Sequence, residues 1–302
     1  MRHGGFIMIS IEHLTKRYRS GKGIFDIHFQ VNEGEVFGFL GPNGAGKTTT
    51  IRQLLGFTNA DEGTCTIKGI DTRLHAEHVH RDLGYLPGEI AFFDHMTGSQ
   101  FLSFMAELYL VKDFTRMTQL LQRFELEANV PIRKMSKGMK QKVALVVAFM
   151  HDPKVYILDE PTSGLDPLMQ QRFIELVLEE KARGKTILMS SHLFDEVERT
   201  CERVAIIKEG RIVTIDKIAD LRQQMMKSYQ LTVSSAEDLT TLQHENIPFI
   251  EVSPLHLEVT LPSHELPRFF HLFGQLHISD VTMKQQTLEE IFIHYYKKEG
   301  DN

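Results

Sequence analysis

Gly41-Pro42-Asn43-Gly44-Ala45-Gly46-Lys47-Thr48 sets three glycines beside a cation and a hydroxyl, a combination suited to holding phosphate. Glycine lets successive backbone N–H groups turn inward around an anion. In such a loop Lys47 reaches the β- and γ-phosphates, the Thr48 hydroxyl ligates Mg²⁺, and Thr49 donates a further contact. The apolar run VFGFL precedes the loop and the helix-like TTIRQLL follows it. That is the strand–loop–helix context the pattern requires, in which the helix N-terminus adds a favourable dipole. By itself the loop argues for a nucleoside triphosphate with Mg²⁺.

A second chemical group closes the run Val155-Tyr156-Ile157-Leu158-Asp159-Glu160, an apolar strand ending in two carboxylates. Asp159 is suited to hold Mg²⁺ through water, because that ion keeps part of its hydration shell, and Glu160 to polarise an attacking water.

The elements that must position these groups alternate β-rich runs with helical patterns, the sign of an α/β domain with a largely buried sheet. VFGFL, VYILD and TILMSS each end where a polar residue begins a turn or helix. In open α/β sheets functional groups gather outside the carboxyl ends of the strands. Between about residues 89 and 150 the pattern turns helical, with Phe101, Met105 and Leu108 at helical spacing in FLSFMAELYL; that stripe reads as helix core. Beyond residue 215 a new series runs YQLTV, AEDLTTLQ, PFIEV, HLEVTL, ELPRFFHLF and HISDVTM, then the amphipathic TLEEIFIHYY. Strand, helix, two strands, helix and strand in that order are compatible with a small ferredoxin-like sandwich.

Three further strings decide between kinds of phosphate-loop protein. Met135-Ser136-Lys137-Gly138-Met139-Lys140-Gln141-Lys142 precedes the Asp159 strand; Ser163-Gly164-Leu165-Asp166 and Ser191-His192 follow it. In this order and spacing the chain resembles the ABC-type nucleotide-binding domain. The resemblance implies a P-loop NTPase cassette over residues 8–215, with a helical subdomain at about 89–150, and an accessory α+β domain over 216–302. It implies ATP and Mg²⁺, and a head-to-tail dimer, expected as a homodimer, in which Ser136 and the Gly138 amide complete the ATP site of a second ATP-binding subunit. Asp166 would lie at the dimer seam. His192 would contact the γ-phosphate and orient the water near Glu160, and Tyr18, in LTKRYRS, would stack on adenine. Gly88 stands where the family carries a glutamine, with Glu89 beside it as the candidate substitute. Lys137 and Met139 replace a glycine and the glutamine of the usual LSGGQ string. YLPGE and SKGMKQK resemble strings of a bacterial branch that exports drugs, antibiotics or peptide toxins. The implied role is an ATPase at the cytoplasmic face of the membrane, held there by a separate multispan permease.

The bulk properties agree. With 42% hydrophobic and 25% charged residues, the 302-residue chain is of ordinary globular composition. A net charge of −6 without dense basic blocks disfavours nucleic acid as a partner. Cys65 and Cys201 show no metal-ligand spacing, and a reducing cytoplasm fits them. The start MRHGGFIMIS lacks the apolar core of a signal peptide, and Val143 to Met150 is too short to span a bilayer. His75, His78 and His80 read as a solvated helix face rather than a metal site. A ribosome- or DNA-acting ATPase is the alternative, disfavoured by the single cassette and the short interval between the phosphate loop and Ser136.

Overall fold

Every residue of the strand Val36–Leu40 is buried, as its uninterrupted apolar sequence requires of a strand covered on both faces. The structure, a computed structural model, describes residues 6–224, 226–245, 247–262 and 265–284. The chain divides between Asp216 and Lys217 into two compact units.

The first unit opens with β1 (Ile7–Arg17) and β2 (Gly23–Asn32), then β3 (Val36–Leu40), α1 (Lys47–Leu54), β4 (Glu62–Ile67), β5 (Ile70–Asp71), α2 (Ala76–Arg81) and β6 (Leu83–Leu86). A helical stretch follows, α3 (Gly98–Leu108), α4 (Thr115–Arg123) and α5 (Lys137–Phe149), before β7 (Val155–Asp159), α6 (Pro167–Ala182), β8 (Thr186–Ser191), α7 (Phe194–Thr200), β9 (Arg203–Lys208) and β10 (Arg211–Lys217). Strands β2, β1, β4 and β5 form one antiparallel sheet. The other has the order β10-β9-β3-β8-β7-β6, parallel from β9 to β6. Ile51 and Leu54 of α1 share one core with Ile9, Phe29, Phe39, Ile157 and Leu188, so the helix behind the phosphate loop is clamped between both sheets.

Register positions the chemistry. Leu40 lies opposite Ser191, and Asp159 opposite Ser190. The carboxyl ends of β3, β7 and β8 are therefore level, and the three chain segments leaving them start side by side.

The second unit begins with α8 (Ile218–Gln224) and continues as β11 (Met226–Val233), α9 (Ala236–His244), β12 (Phe249–Ser253), β13 (His256–Pro262), α10 (Leu266–Leu272) and β14 (Ile278–Lys284). Its antiparallel sheet has the order β12-β13-β11-β14, the ferredoxin-like arrangement. Alternate residues Leu231, Val233, Leu257, Val259 and Leu261 face a core closed by Phe269 and Leu272 of α10. The sequence TLEEIFIHYY lies outside the described residues.

Candidate nucleotide site

The loop after β3 turns on Gly46, whose φ of 115° lies in the region that favours glycine. A Cβ there would also stand 2.7 Å from Cγ2 of Ile24. Lys47, 5% exposed, is drawn back over the loop: its ammonium donates to the carbonyls of Gly41 at 2.6 Å and Pro42 at 3.2 Å. The same nitrogen lies 3.0 Å from Oε1 of Glu160. Loop and strand end are thus joined by an ion pair between the two side chains whose chemistry the sequence singles out.

Thr48, the second residue of α1, donates its hydroxyl to Oδ2 of Asp159 at 2.8 Å. Ser190 donates to Oδ1 of the same carboxylate. Asp159 is wholly buried, yet both its oxygens are satisfied. A Cβ on Gly88 would sit 3.0 Å from its Oδ2, so the backbone after β6 packs directly on this carboxylate. Tyr85, on the same strand, has its phenol pushed up to about 12 by burial and by the charge of Asp159. The hydroxyl of Thr48 and the carboxylate of Asp159 are hard oxygen donors of the kind Mg²⁺ takes.

Glu160 adopts a left-handed backbone, φ 52°, costly for a residue with a side chain. Its N–H donates to the Ser190 carbonyl at 3.1 Å and lies 3.2 Å from the Ser190 hydroxyl, which holds that conformation. Gln141 of α5 donates to the carbonyls of Glu160 at 3.3 Å and Pro161 at 2.7 Å. His192, just past β8, bonds through Nδ1 to Oε2 of Glu160. Oε2 of Glu160 is therefore hydrogen-bonded to His192, while Oε1, buried without a hydrogen bond, faces the charge of Lys47 as an ion pair.

Around these groups lies a cleft of about 360 Å³ whose lining includes Tyr18, Asn43, Lys47, Thr48, Thr49 and Glu160. Tyr18, 44% exposed, stands at its rim in the turn between β1 and β2. A larger cleft, about 600 Å³, is lined by none of the sequence-predicted site residues.

This set of strand ends, loop and cleft matches a known family. Residues 24–163 match the model described as ABC transporter. Over 294 residues the chain is 32% identical to the uncharacterized ABC transporter ATP-binding protein YhaQ of Bacillus subtilis (strain 168), covering 95% of this chain and 97% of that one. The chain belongs to the ABC transporter ATP-binding proteins. As an ABC cassette it is an ATPase. It is also 31% identical over 270 residues to the linearmycin resistance ATP-binding protein LnrL of the same strain, covering 85% of this chain and 87% of that one. A solved dimeric structure of the ATP-binding cassette MJ0796, described as a post-hydrolysis state bound to ADP and Pi, shares the fold: TM-score 0.64, 23% identity, 70% of this chain and 99% of that one covered.

Other predicted residues of this ABC cassette lie apart from the cleft. Ser136 caps α5, its hydroxyl accepting from the Met139 N–H at 3.2 Å. Gly138 packs on the loop that precedes α6, where a Cβ would meet the Gly164 carbonyl at 2.7 Å. Asp166 caps α6 by accepting from the Met169 N–H at 3.0 Å. None of the three lines the cleft that holds Lys47. Glu89 is exposed and does not line it either; Gly88, not Glu89, faces Asp159. Of the histidines at 75, 78 and 80, His80 bonds the Leu55 carbonyl at 2.8 Å, and among the described residues no group of three or more His, Cys, Asp or Glu could hold a metal.

Sequence reasoning passed over Ser190, Gln141 and Glu196. Ser190 had a signal, since it stands one residue before the Ser191-His192 pair. Glu196 had only its place one helical turn beyond His192, among the other acids Asp195 and Glu198. Burial sets it apart, and burial pushes its carboxyl up to about 7.

Proposed function

We propose that this cassette hydrolyses ATP to drive a separate membrane permease that exports a drug, antibiotic or peptide. The observation that carries the catalytic part is the engagement of Glu160 by Lys47 on one oxygen and His192 on the other, beside the Thr48–Asp159 pair. In this reading Gly41 and Pro42 shape the loop, and the backbone N–H groups of Asn43, Gly44, Ala45 and Gly46, with Lys47 and Thr49, hold the β- and γ-phosphates. Thr48 and, through water, Asp159 would hold Mg²⁺, the donor set suiting that ion. When bound, Mg²⁺ neutralises charge on the phosphoryl oxygens. Glu160 orients the attacking water and takes its proton, and His192 keeps the carboxylate aimed while its other nitrogen is free to face the γ-phosphate. Tyr18 stacks on adenine.

Ser136 and Gly138 belong, on this reading, to the site of a second copy. Their separation from Lys47 within one chain supports it, and the structurally similar cassette MJ0796 is described as dimeric. Two copies facing head to tail set each Ser136 against the partner's phosphate loop, with Asp166 at the seam. Export is supported by the name of LnrL, a resistance protein. Among the described residues no helix is long and apolar enough to cross a membrane, so the reading places the cassette on the cytoplasmic face through its permease.

Gentle solubilisation of membranes and isolation of the tagged chain tests the transport reading. A multispan permease should copurify; sedimentation with ribosomes would overturn it. For the dimer, Glu160→Gln with ATP and Mg²⁺ should elute at twice the monomer mass, and adding Ser136→Ala should return it to monomer. Dimers that persist without Ser136 would remove that residue from the shared site.

A further inference from the structure

Glu196 is 4% exposed in the first turn of α7, and among the described residues no cation forms an ion pair with it. Its Oε2 accepts two hydroxyls, Ser191 at 2.7 Å and Thr162 at 3.3 Å. Oε1 is buried without a hydrogen-bond partner. A carboxyl at the third position of a helix usually accepts the N–H of the capping residue directly. Here the Leu193 N–H goes to the Ser191 hydroxyl at 2.9 Å, and that hydroxyl donates onward to Glu196. The carboxyl is thus released from capping and can reach across to a second chain segment.

Those two hydroxyls flank the catalytic pair. Ser191 immediately precedes His192; Thr162 lies two residues past Glu160, at the start of the loop that leads through Gly164 to Asp166. Gln141 holds the same loop by its carbonyls and the Glu160 N–H ties it to Ser190; Glu196 adds a side-chain tie between Ser191 and Thr162. A buried carboxyl bearing so little compensation costs stability, so a position at which it persists is one where something other than stability is served.

We propose that Glu196 is a positioning residue for hydrolysis: by bridging the hydroxyls of Ser191 and Thr162 it ties the chain segment bearing His192 to the loop leaving Glu160, and so fixes the imidazole against the carboxylate. The inference rests on the reading of Glu160 and His192 as the catalytic pair. It assigns the Thr162 loop a second consequence. Movement of that loop toward Asp166 bears on the His192 segment through this carboxyl.

The test uses the full-length chain, with kcat, KM and equilibrium ATP affinity measured for each variant. Glu196→Ala should lower kcat by about 10- to 100-fold, the scale expected when a reacting group is displaced by an ångström or less, with KM and ATP affinity unchanged. Glu196→Gln, which keeps an acceptor for both hydroxyls, should restore most of the rate. In ¹⁵N-histidine spectra the His192 Nδ1 resonance should shift in Glu196→Ala and return in Glu196→Gln. Ser191→Ala combined with Thr162→Val should reproduce the loss, and serves if Glu196→Ala does not fold. Wild-type kcat in folded Glu196→Ala or in the double variant, with an unmoved His192 resonance and only a lower melting temperature, overturns the proposal. Glu160→Gln and His192→Ala in the same assay separate the two readings. If these lose turnover while the Glu196 set does not, only the positioning role fails; if they turn over normally, the catalytic pair fails and the positioning role with it.

Discussion

The ammonium of Lys47 lies 3.0 Å from Oε1 of Glu160, although one residue begins α1 and the other follows the last residue of β7. The carboxylate stands over the loop whose residues suit phosphate, and its negative charge faces the same ammonium that the proposed reading assigns to the β- and γ-phosphates.

Glu160→Gln removes that competing charge and the base together. ATP affinity should rise, while turnover should fall by roughly 10²- to 10⁴-fold, the usual worth of a general base. Equilibrium binding of a fluorescent ATP analogue beside steady-state phosphate release measures both. Unchanged turnover would remove Glu160 from the chemistry.

Thr48→Val keeps the shape of the side chain and deletes the hydroxyl that reaches Asp159. The variant should need more Mg²⁺ for half-maximal turnover, and ATP binding in the presence of a chelator should be the same as in the parent. A parental Mg²⁺ requirement would show that Thr48 is no metal ligand.

Gly46→Ala adds a methyl where φ is 115° and Ile24 leaves 2.7 Å. Overpacking of this kind costs about 1–3 kcal/mol and displaces the backbone N–H groups that would meet phosphate. Chemical denaturation should report the loss of stability, and the same protein should fail to retain ATP at concentrations that saturate the parent. Normal ATP binding would show that the loop tolerates a left-handed alanine here.

Glu196 links stability to pH. Burial raises its carboxyl in the folded chain to about 7, above the ordinary 4.5, with the nearby Glu160 and Asp195 adding to the rise and the Ser191 and Thr162 hydroxyls opposing it. Between those values the folded chain holds a proton that the unfolded chain releases. This contribution to stability is complete below about pH 4.5 and is lost as pH rises through about 7. Glu196→Gln should lack that loss, so its melting temperature should gain on the parent's steadily from pH 5 to pH 8 (roughly the titration window). A constant difference across the range would mean that Glu196 is ionised throughout.

Much of the site was legible because it is written in adjacent residues. VFGFL before Gly41, and VYILD ending in Asp159, state both the strand and the group it delivers, since burial on both faces demands an unbroken apolar run. The split of the second unit into strand, helix, two strands, helix and strand was readable from a different pattern, the alternation of strands with one buried face, as in β13. Legibility failed where the neighbours are distant. Thr48 and Asp159 are 111 residues apart, and their contact follows from the parallel register of β3, β8 and β7 rather than from any local pattern. That Gly88 meets Asp159 while Glu89, the candidate substitute for the family's glutamine, is exposed likewise comes from the packing of β6 beside β7.

The sequence by itself determined that this protein handles a nucleoside triphosphate. The glycines, Lys47, Thr48 and the paired acids are chemical necessities that local pattern places at the ends of strands. Tertiary structure alone decided the partners: that Glu160 is shared between Lys47 and His192, that Ser136 is kept from Lys47 of its own chain, and that Glu196 is buried while its neighbour Asp195 is not. The reason is physical. A residue's type and its near neighbours fix what it can do, but its surroundings come from the packing of segments far apart in the chain, and burial and register are properties of that packing.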